Sequence, residues 1–343
     1  MGGSESRRRN RSPDWGQHTK GAPVQTVTAL GDEVFEIDTL MGGYRGITAG
    51  FLIRGDRPCL VETGTALSAP TVIESLAALG LGPDDLATVV VTHIHLDHAG
   101  GVGDIAAAFP RAQVVVHERG ARHLVDPTKL VQSAHRVFGP VMDELFGDLR
   151  PTDAQRVVAL GDVGVIDLGG GRTLESFYAP GHASHHVGLL DSSTGDLYCG
   201  DAAGVYIPET AEVRPATPPP DFDLDLALAS MRRMSEIAPP RLLFSHYGPV
   251  TDVEEVLARS EAELIRWVEM VREARALQMD LDHAVAMVRE RTPRIELPDE
   301  DPDAVVKWET LSSTAANVAG ISRWLDRTEG PGSTSGDAAH VSR

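Results

Sequence analysis

From Val24 to Val61 the chain runs in short apolar stretches broken by glycine: VQTVTAL, VFEID, ITAGFLIRG and PCLVETG. Their length and β-branched content predict strands, with Gly42-Gly43 and Gly55-Asp56 as the turns between them. The period then changes. SAPTVIESLAAL carries its apolar residues at helical spacing, with Ser68 as the expected cap and Pro70 in the first turn. LATVVVTH predicts a buried strand, a glycine-rich turn follows, then a short helix through Asp104 to Phe109 and another strand, QVVVH. Strands alternating with helices predict an α/β layered fold rather than an all-β sandwich.

Residues 128–147 break that rhythm. Leu130, Ala134, Val137, Phe138, Val141, Met142, Leu145 and Phe146 recur at helical spacing, interrupted at Gly139-Pro140. The pattern predicts a helical insertion over about residues 118–150. Strands resume with RVVAL, VGVIDL, TLESFYAP, HVGLLD and DLYCGD, before a helix over 223–238 and a strand, RLLFSHYG. A long amphipathic helix is expected over 252–278, with Val253, Val256, Leu264, Ile265, Val268 and Val271 on one face. Further helices are expected from about Asp282 to Glu290 and from Asp303 to Leu325. The expected organisation is a disordered basic tail (1–22), a main domain (23–250), a helical region packed on it (251–326) and a disordered tail (327–343).

Composition narrows the chemistry. The formal net charge is −19, and residues 1–20 carry five basic and two acidic groups, so the remainder stands near −22. So acidic a surface repels phosphate backbones, which makes long nucleic acids poor partners. No apolar run approaches the ~20 residues of a membrane helix. Arg7, Arg8, Arg9 and Arg11 precede no apolar stretch of the kind a secretory signal needs, so the expectation is a cytoplasmic protein. Cys59 and Cys199 are the only cysteines, too few for a disulfide framework or a thiolate zinc site. A metal held by this chain would be bound through nitrogen and oxygen.

The stretch that carries chemistry is Thr92-His93-Ile94-His95-Leu96-Asp97-His98-Ala99-Gly100-Gly101. After a strand, a spacing of two points the rings of His93 and His95 the same way. Asp97 and His98 fall where the chain turns toward the next helix. Four ionisable side chains packed together without a cation would repel one another or lose solvation. Metal binding is therefore the favoured reading over a set of core histidines.

Here the chain resembles the metallo-β-lactamase superfamily, whose hallmark is H-x-H-x-D-H after a strand. Ala179-Pro180-Gly181-His182 resembles its P-G-H segment, Tyr198-Cys199-Gly200-Asp201 its G-D segment, and Phe244-Ser245-His246-Tyr247-Gly248 its final motif. The likeness spans roughly Val24 to Val250, with the motifs in order. It implies a four-layer αβ/βα sandwich. It further implies that His93, His95 and His182 bind one metal, that Asp97, His98 and His246 bind a second, and that Asp201 bridges them. Two divalent ions are implied, zinc first, with iron or manganese open. Val61-Glu62-Thr63-Gly64 stands where the family has D-x-G, which puts Glu62 behind the ligands.

The implied activity is hydrolysis by a hydroxide bridging the two metals, with Asp97 or Asp201 orienting it and moving a proton. Asp201 argues against antibiotic hydrolysis, since true β-lactamases of this fold lack that residue. Of the substrates left by the charge, a small ester, thioester or lactone is expected, with Phe138 and Met142 of the insertion as an apolar wall. The insertion could equally be a packing or homodimer element. A mono-iron persulfide oxidation and a phosphodiesterase of the same fold are the alternatives. His185 and His186 either line the pocket or sit at a strand entrance. Tyr206 either donates to a reacting carbonyl or packs. His117 is expected to be structural, and His123, His135 and His283 to be surface or packing residues.

Overall fold

The computed structural model describes residues 26–292 and 313–329. Seven strands form the first sheet, in chain order: β1 (Val27–Gly31), β2 (Val34–Asp38), β3 (Ala49–Ile53), β4 (Cys59–Val61), β5 (Thr88–Val90), β6 (Gln113–His117) and β7 (Val157–Leu160). The first four run as an antiparallel meander, and β4 to β7 are parallel. Parallel neighbours need crossovers. These are α1 (Ala69–Ala78), then α2 (Leu96–Ala99) with α3 (Val102–Ala108), and then α4 (Glu118–Val125) with α5 (Thr128–Phe138) and a π-helical turn at Met142–Phe146. The expected helical insertion is thus the crossover between β6 and β7.

The second sheet contains β8 (Val163–Asp167), β9 (Thr173–Tyr178), β10 (Val187–Asp191), β11 (Leu197–Gly200), β14 (Leu242–Phe244) and β15 (Gly248–Val250), in the order β15-β14-β11-β10-β9-β8. A separate hairpin pairs β12 (Val205–Ile207) with β13 (Glu212–Arg214). The helices α6 (Leu224–Ile237), α7 (Val253–Ala276), α8 (Leu281–Arg291) and α9 (Thr314–Glu329) follow.

Strand alternation explains how these pieces stack. Leu52, Leu60, Val89, Val114 and Val116 face α1 and α3, whereas Phe51, Cys59, Val61, Val90 and Val115 face the second sheet. That sheet meets them with Ile166, Leu174, Val187, Leu189, Tyr198 and Leu243, and turns Leu197, Cys199, Leu242 and Phe244 toward α6 and α7. Three apolar interfaces therefore separate four layers, helix–sheet–sheet–helix, the arrangement that the resemblance implies. At one end of the seam two arginines tie the sheets together. Arg172 pairs with buried Asp191 (2.5 Å) and donates to the Asp32 carbonyl, and Arg241 pairs with buried Asp196 (2.5 Å) and donates to the Leu30 carbonyl.

Several expectations need correction. RLLFSHYG is two strands, with Ser245 to Tyr247 forming the connection between β14 and β15. The β12–β13 hairpin was not anticipated. Ser68 occupies the cap position of α1 but makes no capping bond; its hydroxyl meets that of Thr65 (3.0 Å), while Pro70 does lie in the first turn. The last helix continues through Glu329, so residues 327–329 belong to it and not to a disordered tail. The basic tail, the start of the last helix at Asp303 and the rest of the C-terminal tail lie outside the described residues. Among the described residues no helix is long and apolar enough to cross a membrane.

Candidate metal centre

Four loops leave the C-terminal ends of β5, β9, β11 and β14, and they bring seven side chains together at the open end of the seam. Three overlapping groups form there: His93 with His95 and His182; His93 with His98 and Asp201; and Asp97 with His98 and His246. Within each, the donor atoms lie inside 4.8 Å of one another. All seven residues predicted as ligands are therefore neighbours.

The first loop is set by a single turn. Thr92 N–H donates to the Glu62 carboxylate (2.9 Å), and His95 on extended backbone starts α2, which places Asp97 and His98 in its first turn. His93 and His95 stand just beyond β5 rather than on it, yet their rings converge, with Nε2 of one 3.0 Å from Nδ1 of the other. Asp201 follows β11 through Gly200, whose φ is +52°. A Cβ there would stand 2.5 Å from both His186 Nε2 and Thr92 Oγ1, so only glycine lets the strand come so close.

The nitrogen lone pairs decide what the cluster suits. His182 Nδ1–H donates to the Ala216 carbonyl (2.9 Å) and His246 Nδ1–H to the Ile47 carbonyl (2.7 Å). A carbonyl only accepts, so both rings carry a proton on Nδ1, and Nε2 is the nitrogen each turns toward the cluster. His98 Nδ1 faces the Glu62 carboxylate at 3.4 Å, so its Nε2 is likewise turned toward the cluster. These nitrogens converge: His182 Nε2 is 2.9 Å from His95 Nδ1, and His98 Nε2 is 3.2 Å from His246 Nε2. Asp201 Oδ1 is buried with no hydrogen-bond partner among the described residues. Converging nitrogens around a buried carboxylate oxygen fit a cation that would take the place of their protons, and an all N/O set fits zinc, iron or manganese.

The two halves differ electrostatically. Burial pushes His93 well below the ordinary imidazole value and His95 to about 3, with neighbouring rings adding to the effect. His182 is also lowered, burial first. Burial would lower His98 and His246 too, but Asp201 and Asp97 beside them raise both, His98 strongly. Asp97 and Asp201 stay below the carboxylate range despite burial, because of His98 first and then His246.

Of the other candidates, Glu62 is buried behind the ligands, in contact with His98 as its motif position implies. His185 does lie on the cluster, stacked over His93 (6.2 Å) and edge-on to His95 (5.9 Å); burial lowers it to about 4. His186 is structural, with Nε2 accepting from Asp201 N–H (3.1 Å). His117 is buried, stacked on Tyr178 and paired with Asp162. His135 pairs with Asp148 and His283 with Asp280 at the surface. The Tyr206 ring packs on Phe244 (5.8 Å), so packing is the role displayed; its backbone holds both His246 and Tyr247. Met142 is corrected: it is 0% exposed inside the core under the first sheet and offers no wall to a ligand. Phe138 is 43% exposed, Val137 and Val141 of the insertion are exposed too, and exposed Leu67, in the loop before α1, bonds the insertion at the Phe146 carbonyl. Sequence reasoning missed Ala216 and Ile47, whose backbone carbonyls orient two of the predicted ligands, His182 and His246; a carbonyl has no signature in the residue type.

Residues 42–246, more than half of the chain, match the family model described as the Metallo-beta-lactamase superfamily. The chain is 30% identical over 190 residues to the metallo-beta-lactamase fold-containing protein ST1585 of Sulfurisphaera tokodaii, covering 53% of this chain and 70% of that one. It is 27% identical over 181 residues to an N-acyl homoserine lactonase of Bacillus thuringiensis, covering 51% of this chain and 61% of the lactonase. The solved structure of the archaeal ST1585 superposes with a TM-score of 0.62 at 22% identity, over 84% of this chain and 97% of that one.

Proposed function

Because the chain belongs to the metallo-beta-lactamase superfamily, we propose that it is a dinuclear metal-dependent hydrolase of small esters, thioesters or lactones. One observation carries the dinuclear reading. The buried Asp201 carboxylate reaches into both halves, with Oδ1 3.3 Å from His98 Nε2 and Oδ2 3.5 Å from His182 Nε2. A carboxylate so placed could serve two cations, of which His93, His95 and His182 would hold one and Asp97, His98 and His246 the other. Bound divalent cations supply Lewis acidity, which lowers the pKa of water and polarises a carbonyl oxygen.

The protein's own groups do the remainder. Asp97 is a quarter exposed while Asp201 is buried, so Asp97 is the carboxylate that can take a proton and pass it to a leaving group. His185, kept neutral by burial, stands beside the first half-site as a hydrogen-bonding group for substrate. The apolar patch around Phe138 offers a resting place for an acyl group, and Leu67 N–H bonds the Phe146 carbonyl (3.2 Å), tying the insertion to the loop beside His98. A lactonase among the relatives and a net charge of −19 both favour a small carbonyl substrate over a polyanion.

The test is elemental analysis followed by rates on matched aryl ester, thioester, lactone and bis-aryl phosphate substrates at one pH and ionic strength. About two metals per chain are expected, with kcat/KM for a carbonyl substrate exceeding that for the phosphodiester. At most one metal after supplementation with Zn²⁺ or Mn²⁺ would sink the dinuclear reading. A phosphodiester turned over tenfold better than every carbonyl substrate would sink the substrate class.

A further inference from the structure

We propose that the C-terminal helix α9 is a positioning element for the first half-site, acting on His182 through Asn317. The inference rests on the metal-binding reading above. Its starting point is the Ala216 carbonyl, which fixes the tautomer and the direction of the His182 ring. Ala216 belongs to a loop with no regular structure, so something else must hold that carbonyl in place.

Asn317 does so from both sides. Its Oδ1 accepts from Thr217 N–H (2.7 Å), its Nδ2 donates to the Pro215 carbonyl (2.9 Å), and its own carbonyl accepts from the Thr217 hydroxyl (3.1 Å). The side chain is buried, 4% exposed. A primary amide presents a donor and an acceptor side by side, so it can grip the residues before and after Ala216 at once. A carboxylate cannot donate, and an alanine can do neither. The helix comes this close only because residue 320 is glycine: a Cβ there would stand 1.8 Å from the Thr217 carbonyl oxygen.

A second arm reaches the same histidine. Arg327 donates to the Phe222 carbonyl (3.2 Å) and to the Asp223 carboxylate (3.1 Å), and Asp223 N–H donates to the carbonyl of Gly181, the residue before His182. Trp324 meets Phe222 edge to face at 6.0 Å. One helix thus braces His182 through its ring partner and through its backbone. The other half-site is held from elsewhere, with His246 on the Ile47 carbonyl just before β3 and His98 facing Glu62 just after β4, and among the described residues no hydrogen bond of α9 reaches either prop. The consequence is selectivity. Loosening α9 should weaken the first metal and spare the second.

The experiment uses the full chain and Co²⁺ as probe, comparing wild type with Asn317→Asp, Asn317→Ala and Arg327→Ala. Equilibrium dialysis gives the two affinities, and proton NMR of the Co²⁺-loaded protein follows the exchangeable, hyperfine-shifted imidazole N–H of His182, identified by its loss in His182→Ala. Asn317→Asp and Asn317→Ala should weaken one site by about 10–100-fold, as loss of a ligand's supporting partner does, and leave the other within about twofold. The His182 N–H should exchange with solvent faster. A purely structural role for the helix would weaken both sites in parallel, and that outcome overturns the proposal. So does a folded Asn317 variant with both affinities and the exchange rate unchanged. If neither Asn317 variant folds, Arg327→Ala decides, because its guanidinium is half exposed; an unaltered His182 N–H there also overturns it. Wild-type protein that binds no Co²⁺ would refute the metal-binding reading itself, which separates the two failures.

Discussion

His98 and His246 each lie within 3.7 Å of both Asp97 and Asp201, and that proximity gives the second half-site its own pH dependence. Both rings are raised above the ordinary imidazole value, whereas His93, His95 and His182 are lowered. A metal entering the second site must displace protons that are held tightly; one entering the first displaces none near neutral pH. As pH falls from 8 toward 5, the second metal is therefore expected to leave first, and Co²⁺ content with the visible spectrum would record it as two steps. Simultaneous loss of both ions would contradict the assignment. At the second half-site the sign reverses for the metal-free fold. Stability contributed by the raised His98 and His246 is present below their unfolded value and is lost as pH rises through the folded one, whereas the lowered His93, His95 and His182 weaken the metal-free fold as pH falls below the ordinary imidazole value. The seven converging side chains were legible in the sequence because each motif announces its residue type. The carbonyls of Ala216 and Ile47 and the amide of Asn317 were not, because their role comes from position in three dimensions.

Among the elements, the insertion between β6 and β7 separates two residues that looked alike in sequence. Phe138 and Met142 share one helical stripe, but the chain breaks at Gly139, with φ +56°, and re-enters as a π-helical turn that rotates Met142 into the core. Met142→Ala should then cost about 2–5 kcal/mol of stability by opening a cavity. Phe138→Ser should leave the melting temperature nearly unchanged and raise KM for esters with longer acyl chains. Equal loss of stability in both would place Phe138 in the core as well, and an unchanged KM would remove the patch from the substrate's path. Long periodic elements such as α6 and α7 were readable to within two residues, since burial of one face imposes the spacing. The β12–β13 hairpin was not: three-residue strands around Pro208 and Glu209 carry too few apolar positions to show a period.

At the scale of the whole molecule, the ligands come from both sheets. His93, His95, Asp97 and His98 follow a strand of the first, and His182, Asp201 and His246 follow strands of the second. At the opposite end of the seam, Arg172 and Arg241 join the same two sheets. Each half has its own apolar cluster under its own helices, and a third lies between them. Bound cations would accordingly act as a rivet at the end opposite the two arginine ties. A cation at a free concentration about 100-fold above its Kd adds about 2.7 kcal/mol to the folded state, and here it does so across the line that divides the halves. The loaded protein should melt in one cooperative step, and chelation should lower the midpoint and split the transition in two. A chelated protein that still melts in a single step at the same temperature would show the apolar seam to be sufficient alone. Starved of metal, the chain should open from the end that carries the His/Asp cluster first, so that protease nicks in the loops after β5, β9, β11 and β14 become a gauge of how much cation the protein has found.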